Sequence, residues 1–563
     1  MSNILKHVAS MFEKELFSNV IHLLHLTLSS TDQKQETPPL IKFQLYIYYG
    51  DSHFNVQQYF QAEEAYAQAL QIRKFLVKSK NSLKISETQE LTSEVDVRYK
   101  MHLCYVYLKQ PKKAIEILQN IPTKAKTAKV NMALGNLCRD TGLERQAIGC
   151  YREVLKEIPM AVEAAENLLK LGVKGIEINS LMLEATSEFS WLHTWLRGHA
   201  QMNVRDFNGA VSTLKGLDTP ALLQDNCALL VTIAYCYLYM CDSKNSIVYL
   251  QRAFRIDPNF RYGRDLYAAL LAMSQEKENL RELDRLLNLD LDTSVWPAEQ
   301  WIVVGYSMYV NKKYDRAAYF GQQAYSLNRR SVEAFLLKAY AFIQLNRYIE
   351  AVVHFREAKT IAPNRFEAHK GVVESYVALS RIREAVTSAA NFCTQTNNDP
   401  HALTLYASVI VKDPMMASKT RDLLDIALIQ EPSHMQAIWL LAELLEIEQK
   451  HEEAYSILSK HVKEYPNSRT HQLLADCLLR LHREEEAFNH YSQAIRLDPS
   501  NQRAVEGLNN IGRSAKMDSS YYISVVGESS SFASQDPSVP SDDVDVESDS
   551  DVWPNNGDFM NYD

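Results

Sequence analysis

Residues 468–501 read SRTHQLLADCLLRLHREEEAFNHYSQAIRLDPSN. Counting from Ser468, a small residue stands at position 8 (Ala475), Ala at 20 (Ala487), an aromatic at 24 (Tyr491), a small residue at 27 (Ala494) and Pro at 32 (Pro499). Each residue type has a physical role in a pair of antiparallel helices. Small side chains at positions 8 and 20 let the two backbones approach where the helices cross. The ring at position 24 fills the gap that they leave, and position 27 contacts the next pair. Pro near position 32 ends the second helix, because it lacks an N–H and disfavours helix at the residue before it.

The same spacing recurs outward from this stretch. Residues 332–365 supply Ala339, Tyr348, Ala351, Phe355, Ala358 and Pro363. Residues 298–331 supply Trp301, Gly305, Tyr314, Ala317 and Ala324. Residues 128–161 supply Gly135, Ala147, Tyr151 and Pro159, and residues 43–76 supply Gly50, Tyr59, Ala62, Tyr66 and Ala69. Weaker copies begin near residues 95, 191, 227, 261, 366, 401 and 435. His102 stands where one of them wants a small residue. A degenerate unit occupies 162–190, and an N-terminal helix pair 1–34. The period of about 34 residues and its pattern are those of the tetratricopeptide repeat. The expected fold is all-α: a superhelix (α-solenoid) of about fourteen helix pairs ending near Gly512.

Composition agrees. The chain has 563 residues, more than one hydrophobic core usually supports, so a repeat array or several domains are expected. Gly and Pro number only 17 each, too few for a turn-rich β protein. The net charge of -9 is unevenly spread: eleven Asp and Glu and no Lys or Arg follow Met517, which leaves 58 acids against 60 bases before it. A nearly neutral body gives no general attraction to nucleic acid or anionic membrane, and neither is expected as a partner. The eight cysteines contain no C-x-x-C pair and read as reduced, buried thiols. No secretory signal opens the chain, and the apolar run enclosed by Asp225 and Asp242 is shorter than the roughly twenty residues of a spanning helix. A soluble protein of cytoplasm or nucleus is expected.

Four regions follow: N-terminal units at 1–161, with a mobile loop at 77–94 and a role in homodimerisation; central degenerate units at 162–297; C-terminal units with a partner groove at 298–512; and a disordered acidic Ser/Asp tail at 513–563. The dimer expectation rests on Ile4, Leu5, Val8, Phe12, Leu16, Val20, Leu23 and Leu24, apolar at helical spacing where a terminal cap ought to be polar outside.

Signals for catalysis are lacking: there is no glycine-rich phosphate loop, no G-x-S-x-G and no H-E-x-x-H. His22 and His25, or His451 and His461, have no Cys or carboxylate at metal spacing, so no metal, no cofactor and no enzyme activity is expected. What remains is the concave wall formed by the first helix of each unit. Its position 9 reads Tyr306, Tyr340, Glu374, Val409, Glu443 and Asp476, and its position 5 includes Trp439. Acids mixed with aromatics suit a ligand that carries Arg beside an apolar residue. The same residues read equally as ordinary solvated positions on a superhelix. A co-chaperone clamp for a terminal carboxylate wants Lys and Asn across adjacent units, and only Lys129, Asn136 and Lys370 hint at one. A co-chaperone or another tetratricopeptide adaptor is therefore the alternative.

Longer strings carry a more specific likeness: LFSNV at 16–20, VDVRYKMHLCYVYLKQPKKAIEIL at 95–118, TAKVNMALGNLCRDTGLERQAIGCYREVLKEIP at 127–159, LLKLGVKGIEI at 168–178, HFREAKTIAP at 354–363 and EIEQKHEEA at 446–454. With these, the chain resembles the subunit 7 family of the anaphase-promoting complex, or cyclosome, over about residues 1–510. The resemblance implies a non-catalytic scaffold subunit of a multisubunit RING-type ubiquitin ligase that governs mitosis and G1. It implies an accessory member found only in animals, homodimeric through its N-terminal half and placed beside the Cdc27-type subunit. It also implies nuclear and cytoplasmic residence with spindle association in mitosis. Related subunits hold the Ile-Arg tail of a coactivator in the C-terminal groove, which makes that tail a candidate ligand for the wall described above.

Overall fold

The computed structural model describes residues 2–29, 38–78, 93–220, 222–274, 276–288 and 296–514. Among these residues every regular element is an α-helix or a short 3-10 turn. The acidic tail lies outside the described residues apart from the end of the last helix, Gln502–Ser514, and so does most of the loop expected at 77–94. The chain divides into two compact units, Met1–Ser388 and Ala389–Asp563.

The pair Ala128–Asp140 and Glu144–Glu157 shows how sequence makes a unit. Gly135 sits where the helices cross, and a Cβ there would lie 2.8 Å from the ring of Tyr151. The ring at position 24 therefore closes directly over the small residue at position 8, a closer approach than the pairing of positions 8 and 20 expected from the spacing. Ala147, at position 20, is fully buried beside it. Gly50 and Tyr66 repeat the arrangement, with 2.6 Å between a Cβ at Gly50 and the ring. The hydroxyl of each ring is satisfied by position 9 of its own unit: Tyr66 donates to Asp51 at 2.6 Å, Tyr151 to Asn136 at 2.6 Å, and Tyr491 to Asp476. A buried hydroxyl without such an acceptor would cost about 1–3 kcal/mol.

Between the helices of a unit the chain turns through one left-handed residue. It is Gly142 (φ 80°) after Ala128–Asp140, and the same position 15 is filled by Gln57 (64°), Lys312 (60°), Asn346 (60°), Ser380 (58°), Gln449 (61°) and His482 (58°). The turn closes the first helix with two backbone bonds, for instance Lys312 N–H to Tyr309 O and Lys313 N–H to Met308 O. The unit near 401 lacks it. Its first helix, Pro400–Ile410, is short and leads into the 3-10 turn Pro414–Met416.

The core is a row of clusters shared by neighbouring pairs. Phe43, Tyr66, Val97 and Cys104 form one, and Ile438, Leu474, Tyr491 and Leu508 another. The apolar run after Asp225 becomes the helix Cys227–Tyr239, with Leu229, Leu230, Ile233 and Cys236 fully buried. Among the described residues no helix is long and apolar enough to cross a membrane. All eight cysteines are free thiols. Burial pushes Cys104 and Cys236 up to about 12, so both stay protonated. His102 is 2% exposed, points Nδ1 at the Tyr99 carbonyl and is pushed down by burial to about 4.

Within the first unit the array coils back on itself. The Arg330 guanidinium donates to the main-chain oxygen of Arg139 at 2.8 Å across 191 residues of chain. That oxygen lies in the last turn of the helix Ala128–Asp140, where carbonyls have no partner in their own helix and a cation is favoured.

Candidate partner-binding surfaces

In the first unit, first helices of successive repeats place position 2 and position 9 residues side by side. Glu333 opens the helix Val332–Gln344, and Tyr306 lies on Ala298–Val310. Both are buried. Tyr306 donates to Glu333 Oε2 at 3.4 Å. Arg365, 4% exposed and just ahead of the helix Phe366–Ala378, reaches Glu333 Oε1 at 2.7 Å and Glu367 Oε2 at 3.2 Å. Burial raises the Glu333 carboxyl to about 7, against the opposing pull of Arg365 and with help from Asp265. Asp265 is raised to about 6, again first by burial, although it accepts the backbone N–H of Leu266 at 2.9 Å. A buried pair of this kind is weak evidence for stability, because desolvation offsets most of the Coulomb gain.

Aromatic rings extend this acidic centre. Tyr235 lies 5.8 Å from Tyr262 and 6.2 Å from Tyr239 between ring centres. Burial raises all three hydroxyls, and the fields of Asp265, Glu333 or Glu367 add to it. Tyr262 exposes 48% of its surface, so the centre reaches solvent at that ring. Tyr340 is half-buried and packs edge-on against Phe355 at 5.4 Å. Glu374 is exposed and pairs with Lys370 at 3.7 Å. Of the groove residues read from the sequence, Tyr306 is thus inside the protein, Tyr340 at its edge and Glu374 in solvent. Sequence reading missed Arg365, Glu333 and Asp265. The available signal was that Glu333 stands in the first turn of its unit's first helix, the element that forms the wall.

In the second unit, Trp439 is half-buried on the helix Met435–Ile447. Its Nε1 donates to Thr470 Oγ1 at 3.0 Å, and the Arg469 guanidinium covers the ring at 4.8 Å. Glu443, on the same helix, is half-buried. Asp476 accepts from Tyr491 through Oδ1 and from Gln472 at 3.2 Å through Oδ2, so both oxygens already have partners within the repeat. The face of Trp439 is thus already occupied by Arg469, whereas Glu443 lies one turn further along the same helix.

The N-terminal residues are placed differently from a simple exposed face. Val8, Val20 and Leu24 are fully buried against Leu45 of the helix Pro39–Asn55. Ile4, Leu5 and Leu23 are partly covered by the same cluster, as is Phe12, which packs on Phe17 and Tyr48 at 5.3 Å each. Leu16 stays 45% exposed. Other exposed apolar side chains in this region are Leu26, Phe60 and Phe75, at 56%, 64% and 73%.

A tetratricopeptide-repeat family model matches residues 332–365 and 468–501, the same bounds that the spacing of small and aromatic residues defines. Human anaphase-promoting complex subunit 7 is 38% identical over 519 residues, covering 90% of this chain and 91% of the human protein. The proteins of the same name in Arabidopsis thaliana and Dictyostelium discoideum are 24% and 22% identical, over 91% and 88% of this chain. A plant and a social amoeba therefore carry relatives of this name, which corrects the expectation of an animal-only member. In fold, the chain is similar to a chain in the crystal structure of the APC/C hetero-tetramer Cut9–Hcn1, with a TM-score of 0.55 at 16% identity, covering 90% of this chain and 95% of that one. The repeat register, the near end-to-end coverage and the identity to the human protein together mean that this chain belongs to the anaphase-promoting complex subunit 7 family.

Proposed function

We propose that the chain is a non-catalytic scaffold subunit of an anaphase-promoting complex. The observation that carries this reading is the 38% identity to human anaphase-promoting complex subunit 7, spread over 90% of this chain and 91% of the relative. In a repeat array the number and register of the repeats set the surface offered to neighbours. The work of the chain is then to hold other subunits in place. The test is affinity purification of the tagged full chain from its own cells, with mass spectrometry. Subunits of the ligase should be recovered in stoichiometric amounts; chaperones in their place would overturn the reading.

The finer proposals are a homodimer formed through the N-terminal units, a Cdc27-type subunit as neighbour, and nuclear and cytoplasmic residence with spindle association in mitosis. Light scattering on the full chain at tens of micromolar tests the first, and a monomer would overturn it. Cross-linking within the purified complex tests the second, and imaging of a tagged chain the third. An Ile-Arg tail in the second unit is supported by Glu443 beside Trp439. Glu443→Lys should abolish binding of an Ile-Arg peptide. Asp476→Asn retains an acceptor for Tyr491 while removing charge, so an unchanged affinity would take Asp476 out of the site.

A further inference from the structure

Three side chains from three places in the second unit converge: His401, Glu431 and His434. His401 lies in the first turn of the helix Pro400–Ile410. Glu431 follows the helix Ala417–Gln430, and His434 precedes the helix Met435–Ile447. The three groups therefore join the beginning of one repeat to the beginning of the next. One ligand atom from each lies within 4.8 Å of the others. Glu431 Oε2 is 3.3 Å from His434 Nδ1 and 3.9 Å from His401 Nε2. The two imidazoles stand nearly perpendicular, at 87°, with centres 4.4 Å apart.

The main chain fixes the arrangement from both ends. The His401 N–H donates to Asp399 Oδ1 at 2.9 Å, and the His434 N–H donates to the Glu431 carbonyl at 3.1 Å. His434 is 5% exposed, and its Nε2 has no hydrogen-bond partner among the described residues. The cluster therefore contains a buried imidazole whose Nδ1 faces Glu431.

We propose that His401, Glu431 and His434 bind a divalent transition metal of the zinc class, which staples consecutive repeats together. Zinc holds imidazole nitrogen at about 2.0–2.1 Å and carboxylate oxygen at about 2.0–2.2 Å. Around a tetrahedral centre those bond lengths put neighbouring ligand atoms roughly 3.3 Å apart. The Glu431–His434 edge already has that length, at 3.3 Å. The His401 edge, at 3.9 Å, closes by a small rotation of its side chain. Two imidazoles and one carboxylate suit zinc, cobalt or nickel; magnesium and calcium want oxygen alone. Water completes the fourth position. The spacing that betrays most metal motifs is absent here, because the ligands are a lone His and a Glu-x-x-His some thirty residues on.

The test uses the full chain, stripped with chelator and titrated with Co²⁺ and with Zn²⁺. Wild type should take up one equivalent, show a cobalt d–d spectrum without a thiolate charge-transfer band, and melt at higher temperature with zinc. His401→Gln and Glu431→Gln should each lower affinity at least tenfold. His490→Gln, which removes a ring that faces His471 instead, should leave it unchanged. Should a variant fold poorly, amide exchange on wild type gives an independent reading: zinc should slow exchange around 399–404 and 431–438 above all. No saturable uptake, a thiolate band, affinity unchanged in both variants, or protection absent from those two segments would each overturn the proposal.

Discussion

A single atom decides how close two helices come. At Gly135 a Cβ would stand 2.8 Å from the Tyr151 ring, which is itself fully buried and cannot retreat. Gly135→Leu should therefore cost about 1–3 kcal/mol by overpacking. Gly149 lies fourteen residues on, in the interior of the helix Glu144–Glu157, with nothing within 4 Å of an added Cβ. Gly149→Ala should stabilise by about 0.5–1 kcal/mol, because the unfolded chain loses freedom and no contact is strained. Paired thermal melts check both: two shifts of the same sign would mean that the crossing is not where the structure puts it. The same residue-level logic separates structural from functional acids. Asp51, Asn136 and Asp476 share position 9 and each accepts from the Tyr at position 24. Carboxylate and amide both serve as acceptor there, so an acid at position 9 under a Tyr is part of the repeat before it is part of a groove.

At the scale of the element, the left-handed residue between paired helices is the most regular backbone feature of the array. A non-glycine side chain there costs roughly 1–2 kcal/mol. Only Gly142, among the seven positions named above, is spared it. His482 is exposed at this position with φ 58°. His482→Gly should stabilise its helix pair by about 0.5–1 kcal/mol, the relieved strain less the extra entropy that glycine loses. Gly142→Val should cost about 1–2 kcal/mol through the reverse effect. Amide exchange in Glu484–Leu497 for the first variant and in Glu144–Glu157 for the second reads the change locally, as suits an array in which each repeat feels mainly its neighbours. Faster exchange in His482→Gly would show that the turn carries no strain.

For the whole molecule, buried titratable groups set the response to pH. Burial pushes His102, His199, His354 and His369 from the ordinary 6.5 down to about 4. Each is neutral when folded and protonated when unfolded between those values, so the unfolded chain binds more protons and stability falls as pH drops through that window. Glu333 and Asp265 act oppositely. Raised by burial, they hold their protons to higher pH in the folded chain than in the unfolded one, and their contribution is lost as pH rises from the carboxylate range toward neutrality. Four histidines against two carboxyls should make the chain more stable to urea at pH 7 than at pH 5. His102→Gln with His369→Gln should flatten that dependence, and an unchanged slope would mean that these rings are solvated.

The sequence by itself determined the all-α repeat array and its register. Crossing helices demand small residues and a covering ring at fixed offsets, and these are local, repeated and countable: the family model falls on 332–365 and 468–501 as the spacing requires. It also determined the family, through strings such as LGVKGIEI at 171–178 that repeat packing does not demand. Tertiary structure alone decided which polar groups meet. Arg330 finds the Arg139 carbonyl 191 residues away, Arg365 finds Glu333 across a repeat, and His401 finds Glu431 and His434 across the next. It decided too that Val8, Val20 and Leu24 face inward onto Leu45. An apolar stripe records that a helix must be covered, since burial is non-directional and proportional to area. Which surface covers it, and which charges are drawn into the low-dielectric interior together, depends on how successive repeats rotate, and no offset within one repeat encodes that rotation.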